Sequence, residues 1–397
     1  MAFARFDGFS GSLALTCLVT AGAFFMDASA AHAGGCGHPI QPGRHVFSVQ
    51  SAEAVRSGIF FIPSSYTGTE KVPVVFDFHG SHSHPDGQLK RSSWDEVAER
   101  EGFVVVALQG SLPGAYTGTY AWNVPFVTMQ EGGQDEIAFI KSAIEEIGDE
   151  VCVDPASIYA SGYSGGGRML SQYICSGNGD FTAAGFVHSL RAGAPVRADG
   201  HWTPDATTCA PARPTSVIAF AGELDGANPY AGGGKPYWQY GFKMAVQRWS
   251  EMDGCTGDAV TETEGDITRR LYDTCKAGAR IATYVYAHGT HSWPKSDTGR
   301  GVLAAAGDAT PDVVKVTAAV KPSFDPNVDP AQRMWEFFRK ADRSDVVAKV
   351  APVAGKVSGV CAMETTDLLD GAGIQGATCS SQSIDTRRSG QGAKGAL

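Results

Sequence analysis

Residues 158–169 read Ile-Tyr-Ala-Ser-Gly-Tyr-Ser-Gly-Gly-Gly-Arg-Met, a β-branched and aromatic run followed at once by a helix-like segment. At their centre, Gly162-Tyr163-Ser164-Gly165-Gly166 matches the G-x-S-x-G pattern of a nucleophile elbow between a strand and a helix. Glycines flank the serine because the turn is sharp, and a Cβ there would clash with the neighbouring strand or helix. The helix that begins near Gly165 would direct free N–H groups at an oxyanion formed beside Ser164. The short pattern also arises by chance, so its interpretation depends on the residues around it.

The first 33 residues predict an export signal rather than folded structure. Arg5 gives a basic start, residues 11–25 are apolar, and Ala31-His32-Ala33 matches an A-x-A cleavage site, with 28–30 as an alternative. The apolar run is too short to span a bilayer. We therefore expect a released soluble protein, secreted or periplasmic, with no membrane partner.

Eight cysteines remain after the predicted signal, and an even number in an exported chain indicates disulfides. The absence of a C-x-x-C pair argues against a zinc ribbon or a thioredoxin-like site. Spacing suggests two local bridges and one across the segment after the elbow, and the fourth follows by elimination. The predicted pairs are Cys255–Cys275, Cys361–Cys379, Cys175–Cys209 and Cys36–Cys152.

The formal net charge is −10, and no basic cluster interrupts the acidic composition. Such a chain is a poor candidate for binding nucleic acid or an anionic membrane. Its length fits one large domain with appendages. The sequence leaves the oligomeric state open.

Strand-like and helix-like segments alternate from about residue 45 to residue 340, which predicts an α/β fold with a mostly parallel sheet covered on both faces. The predicted strands are 72–78, 103–108, the elbow strand, 183–188, 216–221 and 281–286. The predicted helices are 93–101, 136–147, 165–175, 237–252 and 330–340.

These segments divide the chain into a signal (1–33), one domain (34–342) and a tail (343–397). Residues 295–329 interrupt the domain as a long insertion, which is typical of a lid or a mobile loop. The tail is rich in Gly, Ala and Ser. It is either partly ordered and pinned by one disulfide, or a small surface-binding appendage.

A serine nucleophile needs an acid and a base later in the chain. Asp225 follows the strand 216–221 in a Gly-Asn-Pro turn, and it is favoured over Glu223; an Asx turn is the plain alternative. His291 follows the strand 281–286 and adjoins Trp-Pro, and it is favoured over His288 as the base. The two histidines also suggest a metal site, but no cysteine or carboxylate lies nearby at ligand spacing, so we expect no metal.

The oxyanion loop is expected after the strand 72–78, where the sequence reads Phe78-His79-Gly80-Ser81. The backbone amides of Ser81 and Gly165 would hold the developing negative charge, each contributing about 3–4 kcal/mol. His79 and Gly80 would support the loop. His82, His84 and Asp86 look like a metal cluster, although an exposed, flexible polar loop is the favoured interpretation.

With these motifs in order, residues 36–342 resemble the secreted esterases of the polyhydroxybutyrate depolymerase and feruloyl esterase family, carbohydrate esterase family 1. Further matches are Cys36-Gly37, Gln88 with Trp94, Trp122-Asn123 and Gln134-Asp135-Glu136. The resemblance implies an α/β-hydrolase fold with Ser164 as nucleophile, Asp225 as acid and His291 as base, and no cofactor. The chain departs from the family in Ala221-Gly222-Glu223, in the long insertion and in the tail.

The resemblance implies an ester substrate, either a plant polysaccharide ester, feruloyl or acetyl, or a polyester such as polyhydroxybutyrate. Aromatic residues in loops would suit a feruloyl group, although packing of the loops on the sheet explains them equally well. A peptidase or a non-catalytic binding protein on the same scaffold are the alternatives. The substrate-binding candidates are Trp122, Tyr163, Tyr230 and Trp293.

Overall fold

The computed structural model of the chain describes residues 34–131, 133–294, 325 and 327–341. The predicted export signal, most of the 295–329 insertion and the 343–397 tail lie outside these residues. The predicted lid and the Cys361–Cys379 bridge therefore stay predictions. Among the described residues, no helix has both the length and the apolar character needed to cross a membrane.

In the described part of the chain, one large sheet of ten strands forms the centre of the domain, in the order β1-β2-β4-β3-β7-β8-β11-β14-β13-β12, and two small hairpins pair β5 with β6 and β9 with β10. The strands are β1 (Gly43–Ser51), β2 (Ala54–Ile62), β3 (Val72–Phe78), β4 (Val104–Leu108), β5 (Leu112–Pro113), β6 (Tyr120–Ala121), β7 (Val153–Tyr163), β8 (Ala183–Val187), β9 (Pro195–Ala198), β10 (His201–Pro204), β11 (Ser216–Gly222), β12 (Val260–Glu264), β13 (Ile267–Tyr272) and β14 (Ile281–Tyr286).

The helices cover both faces of this sheet. They are α1 (Pro85–Ser92), α2 (Trp94–Glu101), α3 (Glu136–Glu150), α4 (Gly165–Cys175), α5 (Phe242–Met252) and α6 (Pro330–Phe338), with short 3₁₀ turns at Ala206–Thr208 and Lys276–Gly278. Apolar residues of α3, α4 and α5 share one core cluster with one face of the sheet, and those of α1, α2 and α6 share a second cluster with the other face.

The six central strands, from β4 to β14 in sheet order, run parallel, and antiparallel hairpins extend the sheet at both ends. Successive residues of a central strand enter opposite cores: Val75 packs on the α2 side and Phe76 on the α4 side. This is why these strands are apolar throughout rather than alternating. The predicted α/β-hydrolase fold is confirmed.

The structure differs from the sequence prediction in two segments. The predicted helix 237–252 begins only at Phe242, because residues before Gly241 form a turn that buries Tyr240. The prediction of a flexible polar loop around His84 is wrong from Pro85 onward, because helix α1 begins there. His84 caps this helix by accepting a hydrogen bond from the Gly87 amide, which a loop interpretation did not anticipate.

Three of the predicted disulfides are present: Cys36–Cys152, Cys175–Cys209 and Cys255–Cys275. The first ties the start of the described chain to the residue before β7, and the third encloses the β12–β13 hairpin. These pairings are confirmed, and they fit folding in an oxidising compartment.

A buried carboxyl group predicts a pH dependence of stability. Asp253 is 0% exposed at the end of α5, and burial raises its pKa to about 7 although the Thr215 amide donates a hydrogen bond to it. The folded protein therefore holds a proton between about pH 4 and pH 7 that the unfolded chain releases, so stability falls as the pH rises through this window. Replacing Asp253 with Asn is expected to raise the free energy of unfolding at pH 8 by roughly 2–4 kcal/mol and to change it little at pH 4.

Denaturant unfolding at the two pH values measures this effect. The exposed Asp273 provides the matched control, since Asp273→Asn is expected to change stability little at either pH. An equal gain for Asp253→Asn at both pH values would contradict the assignment, because a gain from packing alone does not depend on a titrating carboxyl group.

Candidate active site

Five loops meet at the carboxyl-terminal edge of the parallel strands. They follow β3, β7, β8, β11 and β14, and each carries one polar residue of the site directly after its strand or a few residues later. Parallel strands end at the same edge, so residues far apart in sequence converge there. The loops contribute Ser81, Ser164, His188, Asp225 and His291.

Ser164 occupies a strained turn between β7 and α4. Its backbone angles are φ 49° and ψ −115°, a conformation that residues other than glycine seldom adopt. The neighbouring glycines are required by close backbone contacts. A Cβ on Gly162 would lie 2.6 Å from the Gly167 backbone, and one on Gly166 would lie 2.2 Å from the carbonyl oxygen of Phe78. The elbow motif therefore reflects packing between the turn, the helix and the loop after β3.

Ser164, His291 and Asp225 form a hydrogen-bonded chain. Nε2 of His291 lies 2.9 Å from Oγ of Ser164, and Nδ1 of the same ring lies 2.8 Å from Oδ2 of Asp225. Ser164 is 9% exposed and Asp225 is 5% exposed, whereas the His291 side chain is 24% exposed, so the imidazole is the most accessible member of the chain. The alternatives Glu223 and His288 are both exposed, and the structure brings neither of them into this chain within the described residues.

The loops that carry Asp225 and His291 hold each other in place. The amide of Leu224 donates to the carbonyl of Gly289 at 2.9 Å. The amides of Ala227 and Asn228 donate to Oδ1 of Asp225 at 2.9 and 2.7 Å, leaving Oδ2 for the histidine. Burial opposes ionisation of Asp225, but hydrogen bonds from His188, His291 and the Asn228 amide outweigh it and lower the pKa of this carboxyl group.

His188 is a member of the site that the sequence interpretation missed. Its ring is 3% exposed, with Nδ1 3.4 Å from Oδ2 of Asp225 and Nε2 2.9 Å from the carbonyl oxygen of Ser292. It therefore contacts both the carboxylate and the loop that carries His291. Its position in the sequence could have identified it, because it directly follows β8, and β8 lies between the strands that lead to Ser164 and Asp225.

The loop after β3 lies against the elbow where an oxyanion would form. A Cβ on Gly165 would lie 3.0 Å from the Ser81 amide nitrogen, so the two residues are in close contact. Gly165 is the first residue of α4, and its amide has no partner inside the helix. The Ser81 amide donates no backbone hydrogen bond to any described residue. Both amides are therefore free to bind a negative oxygen.

His79 supports this loop from inside the protein. Its Nε2 accepts a hydrogen bond from the Gly110 amide at 3.0 Å, so the proton resides on Nδ1, which donates to the carbonyl of Gly80 at 2.8 Å. Burial lowers the pKa of His79 to about 4, which keeps the ring neutral. Gly80 is required here because a Cβ would lie 2.7 Å from the ring of Tyr163.

Beneath the loop, Asp77 links three elements. Its carboxyl group accepts hydrogen bonds from Gln88, Ser92 and Ser161, at 3.2, 2.8 and 2.6 Å. These donors lie on α1 and β7, so one buried group fixes the position of β3 relative to both. Burial outweighs these bonds and raises the pKa of Asp77 to about 6.

The four substrate-binding candidates occupy different environments. Trp122 is 1% exposed and its indole N–H donates to the carbonyl of His79, so it packs under the oxyanion loop and is too buried for the predicted contact with substrate. Trp293 is 6% exposed and lies against Tyr163. Tyr163 is half-buried and its hydroxyl donates to the carbonyl of His291. Tyr230 is half-buried and packs on Phe242.

Two groups of potential metal ligands have other partners. His188, Asp225 and His291 have donor atoms within 4.8 Å of one another, but these distances belong to the hydrogen-bonded chain described above. In the predicted cluster after β3, Nδ1 of His82 accepts from the Ala115 amide, His84 caps α1, and Asp86 pairs with Arg44 and Lys90. The structure therefore gives His82, His84 and Asp86 separate roles in stabilising loops and helix α1.

Comparison with known proteins identifies esterases among the relatives. The chain is 29% identical to feruloyl esterase B of Piromyces equi over 245 residues, which is 60% of this chain and 42% of the relative. It is 28% identical over 97 residues to a bifunctional acetylxylan esterase/xylanase of Neocallimastix patriciarum, covering 24% of this chain and 13% of that protein. A probable feruloyl esterase C of Aspergillus niger is 25% identical over 175 residues, covering 43% and 59%.

The matched part of the chain spans less than two thirds of the length of each of these relatives. No family model matches the chain. The parallel sheet with its antiparallel extensions nevertheless has the architecture of an α/β-hydrolase. The sheet has the topology of an α/β-hydrolase, and the sequence is similar to feruloyl and acetylxylan esterases.

Proposed function

We propose that the protein is an exported serine carboxylesterase that cleaves feruloyl or acetyl esters of plant polysaccharides. The observation that carries the proposal is the hydrogen-bonded chain from Asp225 through His291 to Ser164, which ends beside two free amides. A serine with this base, this acid and this oxyanion site is the arrangement used for acyl transfer through a covalent intermediate.

In the proposed reaction, His291 takes the proton of the Ser164 hydroxyl while Oγ bonds to the ester carbonyl carbon. The amides of Ser81 and Gly165 stabilise the tetrahedral oxyanion, and Asp225 stabilises the imidazolium that forms. His291 then gives its proton to the leaving alcohol as the carbon–oxygen bond breaks. A water molecule repeats the sequence on the acyl-enzyme and releases the acid.

The substrate class rests on the relatives, whose names specify feruloyl esters and acetylated xylan. Export rests on the apolar segment at residues 11–25 and on the three disulfides, which form in oxidising compartments. Among the aromatic candidates, Tyr163 and Tyr230 are half-buried and remain the ones that an acyl or sugar ring could reach.

The purified protein tests the proposal with four substrates: methyl ferulate, acetylated xylan, a polyhydroxybutyrate film and an amide analogue of methyl ferulate. We expect release of ferulate or acetate and little product from the film or the amide. Faster cleavage of the film would favour a polyester depolymerase, and faster cleavage of the amide a peptidase. Product from none of the four would favour a binding protein.

His188 is expected to act as a positioning residue for Asp225 and for the His291 loop. In His188→Asn the shorter side chain loses the contacts with Oδ2 of Asp225 and with the Ser292 carbonyl, and kcat is expected to fall by about 10- to 100-fold while KM stays within about twofold. Steady-state kinetics, with the active fraction counted by titration with a phosphonate, separates this effect from partial unfolding.

The exposed His201 on β10 offers a matched control, because His201→Asn removes a histidine outside the site and is expected to leave kcat unchanged. An unchanged kcat per titrated site in His188→Asn would remove the positioning role. A rise in KM alone would also do so, because that result would place His188 in substrate binding.

A further inference from the structure

Three arginines surround the elbow without a carboxylate partner. Arg91 lies over the ring of Tyr163, Arg168 lies one turn into α4, and Arg191 follows β8. Among the described residues, none of the three forms a salt bridge. The chain as a whole carries a formal charge of −10, so arginines without an acidic partner beside the candidate active site run against its overall charge.

The guanidinium of Arg168 lies beside the oxyanion loop. A helical side chain points back toward the amino terminus, and a Cβ on Gly165 would lie 3.4 Å from Nη2 of Arg168 and 3.0 Å from the Ser81 amide. The residue is 4% exposed and stacks on Tyr237 at 4.2 Å. No described residue accepts a hydrogen bond from its guanidinium, and its Nε is fully buried without a partner.

Arg191 is a second buried arginine whose charge interacts with that of Arg168. Its guanidinium lies 3.4 Å from the ring centre of Tyr240 and donates one hydrogen bond to the Tyr240 carbonyl, while Nε and Nη2 are buried without a partner among the described residues. Burial lowers the pKa of Arg191 to about 10, and the nearby charge of Arg168 contributes; burial lowers the pKa of Arg168 to about 10 as well. Both arginines therefore stay charged at neutral pH.

A buried charge without a partner destabilises the folded state, so its presence beside the nucleophile calls for a ligand that pairs with it. We propose that Arg168, together with the first turn of α4, binds a carboxylate that the substrate carries close to the scissile ester. A planar guanidinium matches a carboxylate with two hydrogen bonds. Arg191 donates to the Tyr240 carbonyl, whereas Nη2 of Arg168 lies close to Gly165 and Ser81, and a single guanidinium suits a singly charged group.

This inference rests on the proposed esterase function and narrows its substrate class to anionic esters. The carboxylate has two possible sources. It is either part of a uronic acid in the polysaccharide, on the alcohol side of the ester, or the second acid group of a dicarboxylic acyl chain.

Two pairs of substrates distinguish these sources. The alcohol pair is the acetylated methyl glycoside of glucuronic acid and that of glucose; the acyl pair is para-nitrophenyl hemiglutarate and para-nitrophenyl valerate. We expect the wild-type enzyme to favour the charged member of one pair by about tenfold in kcat/KM, mostly through KM. The preference is expected to shrink as sodium chloride is added.

Arg168→Met is expected to bring the ratio within the favoured pair close to one, and Arg168→Lys to keep part of it. Arg100→Met provides the control: Arg100 is 55% exposed at the end of α2 that leads into β4, at the opposite edge of the sheet from Ser164, and should keep the wild-type ratio. If Arg168→Met does not fold, the inference is tested by the kcat/KM ratios of the wild type and of Arg168→Lys within each substrate pair.

Equal rates within both pairs for the wild-type enzyme would overturn the inference and leave the esterase function standing. A wild-type preference that survives in Arg168→Met would also overturn it, because another group would then bind the carboxylate. If the wild type cleaves none of the four esters, the proposed function fails and the inference fails with it.

Discussion

Replacing Ser164 with alanine is expected to lower kcat for ester hydrolysis by about 10⁴- to 10⁶-fold. The substitution removes the atom that forms the covalent bond, while the two oxyanion amides and the binding surface remain and account for any residual rate. The side chain makes no capping hydrogen bond with α4, and its hydrogen-bond partner is Nε2 of His291. The free energy of unfolding is therefore expected to stay close to that of the wild type.

Turnover of para-nitrophenyl acetate measures the loss, and mass spectrometry of the protein after brief exposure to a slow ester detects the acyl adduct in the wild type alone. Ser176→Ala is the matched control, because Ser176 caps the other end of α4 and its hydroxyl donates to the Gln172 carbonyl. It is expected to retain full activity. A Ser164→Ala protein that turns over within tenfold of the wild type would disprove the nucleophile assignment.

Gly166→Ala is expected to destabilise the protein by about 3 kcal/mol or more. The added methyl group would lie 2.2 Å from the carbonyl oxygen of Phe78 and 2.5 Å from that of His79, and backbone atoms cannot rotate away as a side chain can. The helix and the oxyanion loop would have to separate. A displacement of about 1 Å there costs about 100-fold in rate, so folded Gly166→Ala protein is expected to lose at least that much kcat.

Gly148→Ala is a control for which the opposite change in the free energy of unfolding is expected. Gly148 lies inside α3, and a Cβ there meets no atom within 4 Å. Alanine favours a helix interior over glycine by about 0.5–1 kcal/mol, so this variant is expected to be more stable and fully active. Denaturant unfolding and kcat for both variants test the pair. Wild-type stability in Gly166→Ala would show that the elbow and the loop after β3 are not in close backbone contact.

The sequence was sufficient to predict the parallel strands and the chain from Ser164 to His291. The reason is physical: buried parallel strands are apolar throughout, and their carboxyl ends meet at one edge, so the order of motifs along the chain specifies which residues converge. The choice of Asp225 over Glu223 was also predictable, because the Gly-Asn-Pro turn after β11 supplies amides that hold one carboxylate oxygen.

Other features depend on contacts between segments that no local pattern connects. The role of His188 arises from its distance to Asp225, and the burial of Trp122 from its bond to the His79 carbonyl. Helix α1 was missed because its polar sequence resembles a loop, and its stability comes from the His84 cap and from burial of Leu89. The unpaired state of Arg168 is equally invisible in a sequence, because it requires knowing which acidic residues are not nearby.

The two edge strands of the large sheet affect the tendency of the protein to aggregate at high concentration. Within the described residues, β1 and β12 are the edge strands of this sheet, and each has one side of backbone N–H and C=O groups to which no described strand pairs. β12 reads Val-Thr-Glu-Thr-Glu, and β1 carries Arg44, which pairs with Asp86 and Asp95. Charged and polar residues on edge strands oppose the growth of cross-β aggregates, so we expect the protein to stay dispersed at high concentration.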